Sequence, residues 1–322
     1  MRAIRIHTPG DTNALSLDTI DTPTPGPGEI LVANEFAGVN FIDTYQRSGR
    51  YPLPLPATLG MEGAGTVTAL GEGVTGFALG DRVAWAWGQG SYADYVITQA
   101  DKTAHIPDAI PTDIAAAAML QGMTAHYLIT SVYEAQKGDI ALVHAAAGGV
   151  GLVITQMLTR RGVTVIGTVS TDKKAEAAAE AGAAHIIRYD TEDVVEQVMD
   201  ITGGAKCHVV YDGVGQATFE GSLNSLRPRG TLALFGAASG PVPPFDLQRL
   251  SPLGSLFITR PTLGHFIQTS EEHQWRAGEV FDDIASGALT ITIGGRYPLE
   301  EAARAHRDLE SRATSGKLLL EM

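Results

Sequence analysis

The sequence predicts an α/β protein that joins a doubly wound parallel-sheet domain to a discontinuous β-rich domain. Strand-like and helix-like patterns alternate over residues 140–235, whereas residues 1 to about 120 hold short strand candidates between Gly/Pro turns. The alternation stops in the C-terminal tail, where two amphipathic helices precede a final strand. We therefore expect domains at 1–122 and 123–260, with 261–322 returning to the first domain.

The alternating half opens on a strand, a small-residue turn and a helix. The apolar run 140–143 predicts a buried strand, and the turn 144–151 that follows has the spacing Ala-x-Gly-x-x-Gly. Apolar residues recur at helical spacing over 150–158, and 163–169 is a second strand. A Gly-rich turn that opens a helix offers backbone N–H groups and the helix dipole to a pyrophosphate. The pattern predicts a dinucleotide site, and an unliganded strand-to-helix turn is the alternative.

The remaining elements follow from periodicity and turn residues. Predicted helices, including one stopped by Gly182 and one capped by Thr191, are 115–120, 124–135, 173–181, 194–201, 217–226, 271–286 and 300–310. Predicted strands are 2–6, 32–36, 65–69, 82–85, 185–189, 208–211, 231–235 and 317–320. The early strands suggest a partly closed β-barrel, and a cleft between the two domains is the expected active site.

Composition excludes several classes of function. The net charge of −13 disfavours nucleic acids and anionic membranes as partners. The single cysteine, Cys207, excludes intrachain disulfides and multi-cysteine zinc sites, and favours a reduced, cytoplasmic setting. No apolar run reaches the roughly 20 residues of a membrane span, and Met1 leads directly into a strand, so we expect no signal peptide.

Short motifs distributed over the whole chain carry a family resemblance. They are 25–32, 38–45, 47–49 with 51–52, 59–65, 80–83, 144–151, 211–215 and 255–261. Together they resemble the zinc-independent, zeta-crystallin-like quinone oxidoreductases of the medium-chain dehydrogenase/reductase superfamily. The resemblance implies a GroES-like catalytic domain, a Rossmann domain, NADP(H) as cofactor, and a homodimer formed through the sheet edge near Phe257.

The zinc-using relatives of that family place a Cys where Asn40 stands and a His where Met61 stands. Neither residue here can donate a thiolate or an imidazole, and Glu62 alone makes no metal site. We therefore expect chemistry without a metal. The nine histidines show no ligand spacing and are expected to be surface or packing residues.

The residues after the second strand favour NADP(H) over NAD(H). Ser170, 19 residues after Gly151, stands where an NAD site usually carries an acid. Ser170 can donate to a 2′-phosphate, and the ammonium of Lys174 can neutralise it. Asp172 would repel a phosphate if it pointed inward, so we interpret it as a helix N-terminal cap facing solvent. Lys173 is interpreted as a solvated residue of the first helical turn.

The resemblance also implies site residues. Those expected around the cofactor are Asn40, Asp43, Tyr45, Thr124, Ala147, Gly148, Gly149, Val150, Gly151, Ser170, Lys174, Tyr189, Phe235, Ser239, Arg260 and Lys317. Those expected to be catalytic are Asn40, Tyr45 and Tyr51. The amide of Asn40 and the phenol of Tyr51 could each hydrogen-bond an acceptor oxygen as negative charge builds.

Alternative roles remain open for several of these residues. Tyr45 and Tyr51 could pack beside the Pro-rich loop, and Asp43 could cap a helix. Arg260 could stabilise the domain junction instead of a phosphate. No general acid is evident, so solvent or a cofactor ribose hydroxyl is expected to supply the proton.

Three functions are consistent with the sequence. The first is NADPH-dependent quinone reduction by hydride or electron transfer from the nicotinamide. The second is NADPH-dependent reduction of enone, alkenal or enoyl C=C bonds, which uses the same hydride geometry. The third is a non-catalytic, crystallin-like or RNA-binding role, and the charge of −13 argues against RNA binding.

Overall fold

The computed structural model describes all 322 residues, which form two compact units. Unit 1 contains Met1–Met123 and Phe266–Met322, and unit 2 contains Thr124–His265. The sequence-based boundaries were placed after residues 122 and 260. None of the helices is both long enough and apolar enough to cross a membrane.

The chain forms eight α-helices and sixteen strands. The helices are α1 Phe41–Arg47, α2 Thr112–Tyr127, α3 Gly149–Arg160, α4 Asp172–Glu180, α5 Val194–Thr202, α6 Phe219–Asn224, α7 Ser270–Ala285 and α8 Ala302–Ser311. The strands are β1 Arg2–Ile6, β2 Leu15–Thr19, β3 Glu29–Val39, β4 Ala57–Thr58, β5 Glu62–Leu70, β6 Arg82–Ala86, β7 Tyr95–Gln99, β8 Thr103–His105, β9 Ile140–Val143, β10 Thr164–Val169, β11 His185–Arg188, β12 Cys207–Asp212, β13 Leu226–Leu234, β14 Phe257–Thr259, β15 Ile293–Pro298 and β16 Lys317–Glu321.

Unit 2 is built on a six-stranded sheet in the order β11-β10-β9-β12-β13-β14, and every pairing in it is parallel. This is the 3-2-1-4-5-6 order of dinucleotide-binding folds, so the predicted doubly wound sheet is confirmed. Five neighbouring strands each bury a branched side chain in one apolar cluster: Leu142, Ile166, Ile187, Val210 and Leu232. The sheet places the carboxyl ends of β9, β10 and β12 side by side, which is where such folds bind ligands.

Unit 1 contains a three-stranded sheet in the order β2-β1-β4 and a seven-stranded sheet. The larger sheet runs β15-β16-β3-β5-β6-β8, with β7 paired to β3. The last strand, β16, lies antiparallel to β3, with Leu319 opposite Gly38. The predicted return of the C-terminal segment to the first β-rich domain is therefore confirmed.

The prediction of a separate helix over 124–135 is wrong. Residues 112–127 form the single helix α2, which continues into a π-helical turn at Leu128–Val132. Gly122, between the two predicted helices, lies inside α2, where a Cβ would come 2.7 Å from Val280 Cγ1. Its glycine is thus explained by close packing of α2 on α7, which periodicity along one helix does not reveal.

Three further predictions in unit 2 differ from the structure. The helix predicted at 217–226 is the shorter α6, Phe219–Asn224. The cap of α5 is Asp193, whose carboxylate accepts the Glu196 N–H at 2.9 Å, and not Thr191. Strand β13 begins at Leu226, five residues before the predicted start at Thr231, because this segment pairs with Cys207 across a register shift.

Candidate functional site

The small-residue turn of unit 2 lies between β9 and α3. Gly148 is the N-cap of α3 and has no side chain, so it leaves the N–H groups of the first helical turn without a side-chain cap. At Gly151 a Cβ would lie 2.9 Å from Ala146 Cα and would also collide with the Ala145 carbonyl. Only glycine allows the helix to start this close to the turn. These donors and this shape fit a pyrophosphate, as the motif predicted.

Ala146 takes the first position of the motif, where glycine is usual. The neighbouring strand accommodates it, because a Cβ on Gly167 would come 2.8 Å from the Ala146 methyl. Because Gly167 on β10 has no side chain, the methyl group of Ala146 fits beside it. The Ala146 N–H donates to the Thr168 carbonyl at 3.1 Å, which fixes the turn to the end of β10.

The carboxyl ends of β10 and β11 bring together the residues predicted for the 2′-phosphate. Ser170 follows β10, and Thr171 is the N-cap of α4, its hydroxyl accepting the Lys174 N–H at 3.3 Å. The interpretation of Asp172 as that cap is therefore wrong. Its carboxylate is 93% exposed but forms an ion pair with Arg188, while Tyr189, just after β11, is half exposed.

A buried polar network stands behind the turn, at the ends of β9, β10 and β12. Asp212 accepts the Val214 N–H at 2.8 Å and the Gly215 N–H at 3.0 Å, so it shapes the loop after β12. Ser222 donates its hydroxyl proton to Asp212 at 2.7 Å and lies 3.1 Å from His144 Nε2. His144 Nδ1 lies 3.0 Å from the Thr168 hydroxyl.

The proton positions in this network follow from its donors. Burial lowers the pKa of His144, so the ring is neutral. Because the single hydroxyl proton of Ser222 goes to Asp212, His144 donates Nε2–H to Ser222 and accepts from Thr168 at Nδ1. The expectation that His144 is a packing histidine missed this role: it holds three strand ends together directly behind the turn.

The other predicted cofactor residues of unit 2 lie outside the turn, and each has a structural contact or a buried position of its own. The Ser239 hydroxyl donates to the Val214 carbonyl and accepts the Ala217 N–H, so it links two loops. The Phe235 ring packs 2.9 Å from where a Gly213 Cβ would stand. Arg260 Nη1 donates to the Pro261 carbonyl at 3.4 Å, and Thr124 is buried in α2. Their cofactor contacts stay predictions.

In unit 1, Asn40 belongs to a buried ion-pair network. Its Nδ2 donates to Glu62 Oε1 at 2.7 Å and to the Gly38 carbonyl at 3.3 Å, and its Oδ1 accepts Lys317 Nζ at 2.7 Å. Lys317 also forms an ion pair with Glu62, and both side chains are at most 1% exposed. The Leu120 N–H donates to Glu62 Oε2 at 2.7 Å. The network therefore satisfies both charges internally.

This network stands where the zinc-using relatives carry metal ligands. Met61 Sδ accepts the Gln46 Nε2 proton at 3.4 Å, and Glu62 is neutralised by Lys317. No group of three or more His, Cys, Asp or Glu side chains is arranged to hold a metal ion. The role of Lys317 as the partner of Glu62 was missed, since the two residues are 255 positions apart.

Tyr45 and Tyr51 lie together at the end of α1. Their rings meet edge-on with centroids 5.5 Å apart, and the Arg50 guanidinium lies 4.7 Å from the Tyr45 ring centre. Tyr45 is 9% exposed, whereas Tyr51 is 39% exposed. Tyr45 is thus mainly a packing residue, and Tyr51 has a phenol that a ligand can reach.

Asp43 is fully buried and completes the capping box of α1, whose N-cap is Asn40. Its Oδ2 accepts the Asn40 N–H at 2.8 Å and the Tyr92 hydroxyl at 2.8 Å, while its Oδ1 has no hydrogen-bond partner. This supports the helix-cap interpretation, and the cofactor contact of Asp43 stays a prediction. Burial raises the pKa of Asp43 to about 7.

The chain of hydrogen bonds continues from Asp43 toward the surface. Tyr92 lies 3.1 Å from His306 Nε2, and Arg47 Nη1 lies 3.2 Å from His306 Nδ1. Burial lowers the pKa of His306 to about 3, so the ring is neutral and Nδ1 accepts from Arg47. Because a guanidinium does not release its proton, this chain positions side chains and does not conduct protons to Asp43.

The Lys317–Glu62 pair gives a test of the network. Lys317→Met leaves the Glu62 carboxylate buried without a cation, so we expect a loss of about 3–5 kcal/mol in the free energy of unfolding. The double variant Lys317→Met/Glu62→Gln removes both charges and is expected to recover most of that loss. Urea unfolding checks it, with Arg304→Met at an exposed pair as the control. Equal losses in all three variants would contradict the assignment.

Asp43 gives a second test, through pH. A carboxyl with a pKa of about 7 in the folded chain retains its proton where the unfolded chain has lost it. Its contribution to stability is therefore present below about pH 4 and is lost as the pH rises through about 7. Asp43→Asn keeps an acceptor oxygen but has no proton to lose, so we expect the free energy of unfolding to fall less over this range.

Unfolding curves at steps between pH 4 and 8 measure this slope, with the exposed Asp21→Asn as a matched control. A slope as steep in Asp43→Asn as in the unmodified protein would show that another group causes it.

Comparison with known proteins identifies the two units. Residues 26–108 match the family of the alcohol dehydrogenase GroES-like domain, and residues 149–279 match the zinc-binding dehydrogenase family. The chain is 49% identical over 298 residues to a quinone oxidoreductase of Pseudomonas aeruginosa, covering 92% of each protein.

Two solved structures superpose on the whole chain. A mycobacterial protein complexed with NADPH has 51% identity and a TM-score of 0.98, with 100% of both chains covered. The quinone oxidoreductase of Escherichia coli complexed with NADPH has 44% identity and a TM-score of 0.98, again with 100% of both chains covered. The chain therefore belongs to the zinc-independent quinone oxidoreductase family of the medium-chain dehydrogenase/reductase superfamily.

Proposed function

We propose that this chain catalyses the NADPH-dependent reduction of quinones. The observation that carries the proposal is the tight turn at Gly151, which opens α3 in a sheet with the strand order of dinucleotide-binding folds. Family membership and the NADPH complexes of two structural relatives support it.

NADPH, when bound, supplies the hydride. The N–H groups of Ala147 and of residues 149–151 would bind the pyrophosphate, which the helix dipole favours, whereas the Gly148 N–H donates to the Ala145 carbonyl at 2.8 Å. Ser170 and Lys174 bind the 2′-phosphate, one as a donor and one as a cation. Tyr189, which is half exposed, is the other residue proposed to contact the adenosine end of the cofactor.

Asn40 and Tyr51 were both predicted to hydrogen-bond the oxygen of the quinone, and we propose different roles for them. Both Nδ2 protons of Asn40 are directed to Glu62 and to the Gly38 carbonyl, so its amide is occupied. We assign the hydrogen bond to the quinone oxygen to the exposed phenol of Tyr51, with Asn40 as a positioning residue. Hydride and one proton convert the quinone to hydroquinone, and the proton comes from solvent.

The proposed reaction uses no metal. Its support is the chemistry of the donor set, since Asn40, Met61 and Glu62 offer an amide, a thioether and a carboxylate already paired with an ammonium.

We further propose a cytoplasmic homodimer that does not bind nucleic acid. The one cysteine, Cys207, is a free, buried thiol, and a chain without disulfides suits a reduced compartment. Phe257 is 61% exposed on β14, at the edge of the parallel sheet, and this edge supports pairing with a second copy.

The proposed reaction is tested by NADPH oxidation, followed at 340 nm, against 1,4-benzoquinone, 1,4-naphthoquinone, 2-cyclohexenone and an alkenal. We expect both quinones to give the larger kcat/KM, before and after dialysis against EDTA. Faster turnover of the enone or alkenal would replace the proposal with C=C reduction. NADPH binding without any turnover would favour the non-catalytic role.

Lys174 tests the choice of cofactor. Lys174→Ala removes one charged partner of the 2′-phosphate, so we expect the KM for NADPH to rise about ten- to a hundredfold while the KM for NADH changes little. The neighbouring Lys173→Ala is the matched control and is expected to leave both values near those of the unmodified protein. Equal changes for both cofactors in Lys174→Ala would refute the assignment.

A further inference from the structure

A carboxylate lies, in sequence, between the two residues proposed to bind the 2′-phosphate of the cofactor. Asp172 is the first residue of α4, two positions after Ser170 and two before Lys174. An acid close to this strand end is what NAD sites use to hold the ribose hydroxyls, and its charge repels a phosphate. Asp172 is therefore at odds with NADPH unless another group compensates for its charge.

Arg188 is that group. It ends β11, and the parallel pairing of β10 with β11 places it level with Val169, at the strand end that leads to Asp172. Its Nη1 donates to the carboxylate of Asp172, while its Nε and Nη2 bind Asp190 at 2.9 and 2.8 Å. The bidentate pair with Asp190 holds the planar guanidinium in place, so one edge stays directed at Asp172.

The Arg188 backbone is fixed as well. Its N–H donates to Glu192 Oε2 at 2.6 Å, and its side chain is 25% exposed, far less than that of Asp172 at 93%. Arg188 is thus the anchored member of the pair, and the ion pair with Arg188 holds the exposed carboxylate of Asp172. Removing Arg188 would release the carboxylate of Asp172 next to the phosphate-binding residues.

We infer that Arg188 determines the preference for the phosphorylated cofactor by masking Asp172. The inference rests on the proposed function, because it concerns the same cofactor site. The chain thus carries an acid suited to an unphosphorylated ribose together with a guanidinium, shared with Asp190, that holds and partly neutralises it. Without the cation, Asp172 repels the 2′-phosphate and accepts hydrogen bonds from a free 2′-hydroxyl.

Binding of 2′,5′-ADP and 5′-AMP, measured by calorimetry, isolates the phosphate from the chemistry of the nicotinamide. We expect Arg188→Gln to weaken 2′,5′-ADP at least tenfold and to leave 5′-AMP unchanged or tighter. The double variant Arg188→Gln/Asp172→Asn is expected to recover most of that loss, since the charge of Asp172 is gone and only that of Asp190 is left without its partner. Asp172→Asn alone is expected to bind 2′,5′-ADP at least as tightly as the unmodified protein.

Arg249→Gln is the matched control, since Arg249 forms an exposed pair with Glu220 elsewhere in unit 2 and carries the same charge. It is expected to alter neither affinity, and thermal unfolding verifies that every variant is folded. An unchanged ratio of affinities in Arg188→Gln would overturn the inference. A double variant as weak as Arg188→Gln would also overturn it, because Arg188 would then contact the phosphate directly.

The proposed function fails in a different way. If the unmodified protein bound neither nucleotide, the cofactor site itself would be absent, and the inference would fall with it. Binding of both nucleotides by the unmodified protein, combined with no effect of Arg188, would overturn the inference alone.

Discussion

The buried pair of Lys317 and Glu62 is the interaction on which unit 1 depends. It joins β16 to β5, and through Asn40 and the Leu120 N–H it reaches the end of β3 and the helix α2. Two charges taken out of water are tolerated only when each is matched and the remaining lone pairs are filled, and here they are. One ammonium thus ties the last strand of the chain to elements of its first third.

Two buried histidines, one in each unit, are likewise matched to hydrogen-bond partners. His144 and His306 are both neutral because burial disfavours the imidazolium, and in each case the partners decide which nitrogen holds the proton. His306 must accept from Arg47, and His144 must donate to Ser222. With each direction fixed, these histidines serve as rigid spacers, which suits a family whose hydride comes from its cofactor.

Local pattern predicted the alternating half of the fold and part of its site. The strand 140–143 has the predicted bounds, and the Gly-rich turn opens α3 as expected, because both depend on neighbours in sequence. Local sequence pattern did not predict features that depend on a contact between residues far apart in the chain. Gly122 is small because α7 packs on it, and Lys317 is buried because Glu62 lies beside it. Neither partner is visible within a window of sequence.

The proposed chemistry follows from where the positive charge of unit 1 lies. In a metal enzyme a cation faces the acceptor and stabilises the negative charge that the hydride creates. Here the ammonium of Lys317 is bound by Glu62 and Asn40 and is only 1% exposed, so it is not open to a substrate. An acceptor that stabilises much of that charge itself suits such a site, with Tyr51 as the proposed donor. A quinone does so, because its reduced form is a phenolate delocalised over an aromatic ring, whereas a simple aldehyde or ketone would form a localised alkoxide.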